Sequence, residues 1–342
     1  MPQPESGRVR PVTLVTVARH ARVHVSTASR ALSDNPSGVG ADTVRRVREL
    51  AAALGYRRDV RAAGLRTGTS RLVGVLVPRL TDLGLATIYD SIDLAASEAG
   101  YGTVVANTRD DDRHRKIRID AMLSRGIDGI IIGDSHLGDT AAYELKQRGV
   151  PYVLVMRRLE GHPSVTTDDY RGGQLAAEHL LQRGHRRVGV VAGDQLASTG
   201  RERTLGFRRT FEAAGYPVAD GYVVDSEFST NAGLHAGSAL MNLADPPTAI
   251  FAVHDLIALG VMGAIRDAGL KLGTEVALVG YNDLDLAATL PVPLTSISSD
   301  LSRMGRLSFD LLMNTINGQP VESMLLDPLL VPRATTLGRY EP

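Results

Sequence analysis

The sequence contains no cysteine and no tryptophan, and its 342 residues include only five phenylalanines and ten tyrosines. The missing thiols exclude structural disulfides, thiolate zinc centres and a cysteine nucleophile. No apolar run approaches the roughly 18 to 20 residues that a membrane span needs, and the opening MPQPESGRVRPVTL lacks the apolar core of a secretory signal. The expectation is a cytoplasmic chain with no membrane partner. Enzyme signatures are missing too: there is no GxxxxGK[ST] loop, no GxSxG elbow, no HExxH, and no GxGxxG after the first strand of either half of the body. His254 beside Asp255 could form an acid/base pair, but a ligand-binding or structural role suits it better. No catalytic residue, metal or cofactor is expected.

What is present describes a globular protein. Hydrophobic residues make up 43% and charged residues 22%, enough for a sizeable core, and the length suggests about two or three domains. The net charge of zero hides an asymmetry, because residues 1–71 hold thirteen arginines against five acidic residues. The remainder is acidic by the same margin. A basic head calls for a polyanionic partner, since each arginine that meets a phosphate releases condensed counterions. A membrane surface is the rival partner, but the head offers no large aromatic or leucine-rich face to insert.

Three short helices are expected between Thr13 and Tyr56. TLVTVARHA opens with Thr13 as N-cap and spaces Leu14, Val17, Ala18 and Ala21 along one face. After a break at Arg22 and Val23, HVSTASRAL gathers Ser26, Thr27 and Arg30 opposite an apolar arc of Val25, Ala28, Ala31 and Leu32. TVRRVRELAAALGY then places Val44, Val47, Ala51 and Leu54 together and stops at Gly55. Two helices joined by a tight turn and backed by a third make a helix-turn-helix unit. A polar helix face is most often simply solvated, but on a basic head it reads as a nucleic-acid surface. The segment from His24 is then the recognition helix, with Val25 and Ser26 nearest the base edges. Thr27, Ser29 and Arg30 have phosphate-contact chemistry, and Arg30 can also reach a guanine.

RRDVRAAGLRTGTSR follows as a linker too poor in bulky apolar residues to make a core. From Leu72 onward, apolar runs (LVGVLVP, TVVAN, GIIIGD, YVLVM, RVGVVAG, YVVDS, AIFAVHD, VALVGYND) alternate with helical stretches. That alternation argues for doubly wound parallel sheets covered on both faces. A pause at RRLEGHPSVTTDDYRGG divides the series into two α/β lobes, with a cleft between them suited to a small molecule.

The head, PVTLVTVARHARVHVSTASRAL with VRRVRELAAALGY and the AAGL linker, resembles that of the lactose/galactose repressor (LacI) family. The body resembles it too, through GIDGIIIGD, HLLQRGHRRVGVVAG, RTLGFRRTF, AIFAVHDLIALGVM, VALVGYND and PLTSISSD in order. The likeness runs from about residue 11 to 338. It implies a helix-turn-helix domain at 1–57 and a hinge at 58–70. A periplasmic-binding-protein-like body then covers 71–338, with one lobe of about 71–167 plus 300–328 and the other of about 168–299 plus 329–338. It further implies a homodimeric transcription regulator, a repressor by expectation, on a pseudo-palindromic operator in double-stranded DNA; a transport solute-binding protein is the alternative.

Within the hinge, Leu65 stands where family members wedge a leucine between base steps, although it could be a plain linker residue, and Gly64 weakens any helix there. Thr13, His24 and Arg61 join the expected DNA contacts. Arg22 replaces a usual glycine and His24 a usual serine. In the cleft, the resemblance assigns ligand contacts to Arg203, Asn282 and Phe228, with Thr199, Asp110 and Asp168 as further polar contacts. His254 and Met156 stand in place of a frequent asparagine and aspartate. The implied ligand is a small polar effector, sugar-like or polyol-like, acting as inducer or corepressor, and the chain's end at Pro342 suggests a dimer rather than a tetramer.

Overall fold

The computed structural model describes residues 12–33, 36–56 and 69–337, arranged as two compact units, Met1–Ser70 and Arg71–Pro342. The hinge expectation, including Arg61, Gly64 and Leu65, lies outside the described residues. In the first unit α1 (Leu14–Ala21), α2 (Val25–Ala31) and α3 (Ala41–Ala53) surround a core of Val17, Ala18, Ala21, Ala28, Ala31, Val47 and Ala51. Four of these seven are alanines on α1 and α2, which lets the helices approach closely. Thr13 Oγ1 accepts from the Thr16 N–H at 3.3 Å and caps α1. Arg48 on α3 donates to the carbonyls of Ala31 (3.2 Å) and Ser33 (3.1 Å), satisfying the end of α2. Gly55 turns the chain after α3 at φ 67°. Val25 shares the apolar arc but is 37% exposed, because the first turn of α2 projects beyond the three-helix core.

The second unit holds two six-stranded sheets. Strands β1 (Leu72–Val77), β2 (Gly102–Asn107), β3 (Gly129–Ile132), β4 (Tyr152–Val155), β5 (Ser164–Thr167) and β11 (Met324–Leu326) form the first, in the order β11-β5-β4-β3-β1-β2. Strands β6 (Val188–Gly193), β7 (Val223–Asp225), β8 (Ala249–Ala252), β9 (Ala277–Asn282), β10 (Thr295–Ser298) and β12 (Leu329–Val331) form the second, in the order β12-β10-β9-β8-β6-β7. All pairings are parallel except that of β10 with β12. The pause that divides the two groups is not strand-free, since it contains β5. The chain passes between the lobes after β5, after β10 and between β11 and β12, so each lobe is discontinuous in sequence.

Each sheet is covered on both faces. In the first lobe, helix Leu301–Ile316 packs on Leu83–Glu98 over a core that includes Val75, Ile88, Ile92, Ile131 and Leu312. Gly305 permits that approach, because a Cβ there would strike the Ile88 carbonyl oxygen. On the opposite face, Ile119 and Met122 of Asp112–Leu123 and Leu145 of Ala141–Gln147 cover Leu76, Ile130 and Ile132. The second lobe's core centres on Val190, Phe207, Phe251, Ile257, Val279 and Tyr281. Among the described residues no helix is long and apolar enough to cross a membrane.

Candidate functional site

The first unit presents an exposed, partly polar surface at the start of α2. His24 caps the helix through its ring, with Nδ1 accepting from the Ser26 N–H at 3.3 Å and lying 2.8 Å from Ser26 Oγ. His24, Val25, Ser26 and Arg30 are exposed, while Thr27 and Ser29 are half-buried. Arg30 lies back along the helix, its Nε donating to the Ser26 carbonyl at 3.4 Å. Thr13 is exposed at the start of α1. Arg22 between the helices adopts a left-handed backbone (φ 53°, ψ 45°), and its N–H bonds back to the end of α1. The helix entrance therefore offers one imidazole, one hydroxyl and one methyl-bearing side chain over a few ångströms, a set able to touch base edges in a groove.

The second unit encloses a cleft of about 1280 Å³ between its lobes. It lies beyond the carboxyl ends of β1, β2, β4, β6, β7 and β8, where an open parallel sheet leaves its loops and helix starts free to bind. Pro78, Asp82, Asp110, His136, Met156 and Arg157 approach from the first lobe. Asp194, Thr199, Arg203, Phe228 and His254 approach from the second. Several contacts cross the gap. His136 Nε2 lies 3.3 Å from Asp110 of its own lobe and 3.4 Å from Asp194 of the other. His254 Nε2 lies 3.4 Å from Asp82 Oδ2, and Arg157 stands 5.7 Å from the Phe228 ring centroid. At the margin, Arg158 binds Glu202 through two bonds of 2.9 and 2.8 Å.

The expected ligand contacts divide into two groups. Asp110, Thr199, Arg203, Phe228 and His254 line the cleft, as does Met156. Asn282 and Asp168 do not. The Asn282 carboxamide is buried, its Oδ1 accepting from Ser299 Oγ at 3.1 Å and its Nδ2 packed toward Gly84. Asp168 caps helix Asp169–Gln182 by accepting from the Arg171 N–H at 2.9 Å. Its neighbour Asp169 is the carboxylate that meets Arg203, taking Nε at 2.7 Å. Arg203 also donates to the Val253 carbonyl at 2.8 Å and lies 3.6 Å over the Tyr281 ring. Arg203 thus lines the cleft with part of its donor capacity spent inside the second lobe.

The side chains that sequence reading passed over are Asp82, His136, Arg157 and Asp194. The only trace of Arg157 was its place directly after the YVLVM strand. Burial works to raise the carboxyl pKa of Asp82, but the His254 ring and the N–H groups of Leu85 and Gly84 hold it below the usual range. Burial likewise opposes ionisation of Asp110. His136 and the 2.7 Å bond from Arg157 overcome that, setting its pKa at about 2. Both carboxyls are thus anions in the cleft. No cluster of three or more ligating groups suited to a metal exists among the described residues.

Residues 177–336 match the model of a periplasmic binding protein-like domain. The chain is 30% identical over 329 residues to the HTH-type transcriptional repressor CytR of Escherichia coli (strain K12), covering 95% of this chain and 96% of that one. It is 29% identical over 318 residues to catabolite control protein A of Priestia megaterium, covering 92% and 96%. Among solved structures, the lac repressor dimer bound to operator and the anti-inducer ONPF superposes with a TM-score of 0.87 at 29% identity, covering 96% of this chain and all of that one.

Proposed function

The chain belongs to the LacI family of transcriptional repressors, and we propose that it represses transcription as a homodimer on a pseudo-palindromic duplex operator, under control of a small ligand in the interlobe cleft. Its family consists of DNA-binding regulators rather than enzymes. The observation that carries the reading is the start of α2, where an exposed His24, Val25 and Ser26 head a unit whose sequence is strongly basic, joined in one chain to a two-lobed cleft. A transport binding protein has no use for that head.

His24, Val25 and Ser26 read base edges in the major groove. Thr13, Thr27, Ser29 and Arg30 hold phosphates, and Arg61 and Leu65 act at the hinge. In the cleft Arg203, Thr199, Asp110, Phe228 and His254 contact a sugar-like or polyol-like effector, with Asn282 and Asp168 supporting them from behind the cleft wall. A ligand shifts DNA affinity only through its differential affinity for the lobe arrangements, so contacts from both lobes are the physical requirement. The cleft meets it with Asp82 and Asp110 on one side and Phe228 and His254 on the other. The place of action is the cytoplasm.

The test selects bound duplexes from random DNA with the full chain, then measures affinity against salt. The expected result is a two-half-site palindrome of about 14 to 20 base pairs. Between 50 and 200 mM salt, affinity should fall by about a thousandfold or more, as arginine–phosphate contacts demand. Absence of any enriched sequence over competitor DNA overturns the proposal.

A further inference from the structure

The charges lining the cleft do not balance. Asp82, Asp110, Asp111, Asp112, Asp194, Asp225 and Glu227 stand against five guanidinium groups, those of Arg79, Arg109, Arg113, Arg157 and Arg203. The two deep guanidinium groups are already engaged, Arg157 by Asp110 at 2.7 Å and Arg203 by Asp169 at 2.7 Å. Arg79 faces Glu227 at 3.6 Å near the exposed margin, Asp112 is held by Arg115 at 2.6 Å, Asp111 lies 3.0 Å from His114, and Arg109 and Arg113 stand exposed. An anionic ligand would therefore enter a cleft whose deep guanidinium groups are taken and in which the carboxylates of Asp82 and Asp194, without an arginine partner among the described residues, face histidines.

Asp82 marks where the surplus concentrates. Its side chain is 13% exposed, and Oδ1 accepts from the Gly84 N–H at 2.9 Å, leaving Oδ2 toward the other lobe. The group facing it there is His254, whose side chain is 3% exposed. His254 Nδ1 accepts from the Leu256 N–H at 3.1 Å, which leaves Nε2 as the ring's donor. That Nε2 has no aligned hydrogen-bond partner, although Asp82 Oδ2 is only 3.4 Å away. The Asp82 carboxylate and the His254 Nε2 thus face each other from the two lobes at 3.4 Å, longer than a good hydrogen bond, with no arginine or lysine among the described residues paired with Asp82. A proton on His136 would neutralise the Asp110–Asp194 side of the cleft and leave Asp82 as before.

We propose that the cleft ligand carries a basic nitrogen next to a hydroxyl, as in an amine-bearing sugar or polyol, with its ammonium group on Asp82 and its hydroxyl oxygen accepting from His254 Nε2–H. The proposal rests on the reading of the cleft as the effector site and narrows its chemistry. Such a ligand supplies a full cation for Asp82 and a closer acceptor for His254 Nε2, and it ties the two lobes. Phe228, its ring centroid 5.8 Å from that of His254, adds a face against which the carbon skeleton can lie. A phosphorylated sugar of the same skeleton would place further negative charge against Asp82, Asp110 and Asp194.

The experiment uses the full chain at neutral pH and two matched sets: glucosamine, glucose and glucose 6-phosphate, and meglumine, sorbitol and sorbitol 6-phosphate. Binding is read by calorimetry and by thermal shift, without DNA. The expected result is that an amine member binds about tenfold or more tightly than its hydroxyl parent, the scale of one charge-assisted bond, with the phosphate member weakest. Asp82→Asn, which keeps the side-chain cap at Gly84, should abolish that preference. No binding by either amine, equal binding of amine and parent, or preference for the phosphate overturns the proposal. Because the readout needs no operator, it fails or succeeds independently of the DNA selection above.

Discussion

Arg22 carries a left-handed backbone at the turn between α1 and α2, where an L side chain crowds its own carbonyl. The family resemblance flagged the position by its lack of glycine, and the backbone geometry supplies the reason. Arg22→Gly should stabilise the first unit by about 0.5 to 1 kcal/mol, the strain relieved less the added freedom of glycine in the unfolded chain. Amide hydrogen exchange of α1 and α2 in the full chain measures it; unchanged or reduced protection contradicts the strain argument. Arg203 teaches the opposite lesson. Its sequence position pointed to the cleft, which it does line, but the sequence held no sign that Asp169 and the Val253 carbonyl would occupy its donors.

At the scale of elements, helices Thr230–Met241 and Asp255–Asp267 pack almost backbone to backbone. A Cβ at Gly260 would collide with the Thr230 carbonyl oxygen, and one at Gly233 with that of Ile257. Gly260→Ala should therefore force the pair apart and destabilise the two-lobed unit by about 1 to 3 kcal/mol, despite the better helix propensity of alanine. Scanning calorimetry should show its transition lowered by several degrees; an unchanged or raised transition would contradict the close-packing argument. The long apolar strands were legible because parallel strands buried on both faces read as continuous hydrophobic runs. SVTT, TSIS and the short β11 and β12 were not, because three or four residues, two of these runs largely polar, become strands only when a neighbouring edge accepts them.

For the whole molecule, stability should depend on pH through Asp255. Burial pushes its pKa up from 3.8 to about 6, against the Ser296 hydroxyl and the Leu284 N–H that favour the anion. The folded chain therefore binds this proton more tightly than the unfolded one, so stability is greatest at low pH on this account and declines as pH rises between about 4 and 6. Asp82 and Asp110, with lowered values, lose their contribution as pH falls. Comparison with Asp255→Asn isolates the one from the others. Urea unfolding of the two-lobed unit at pH 4, 5, 6 and 7 should show the parent losing about 2 to 3 kcal/mol relative to the variant over this window, and parallel profiles would disprove the assignment.

The linear chain determined the helix-turn-helix pattern, the segregation of arginine into the head and the two-lobed α/β architecture. Each depends on local periodicity or composition, which survive without any knowledge of neighbours. The family resemblance assigned Thr199, Phe228 and His254 to the cleft, and all three line it. Tertiary structure alone decided that Asp169 rather than Asp168 meets Arg203, that Asn282 turns away from the cleft, and that Asp82 faces His254 across it. The pairings of Asp169 with Arg203, of Asn282 with Ser299 and of Asp82 with His254 join separate elements or lobes, and the side-chain energy that selects them exists only after the backbone has brought them within a few ångströms.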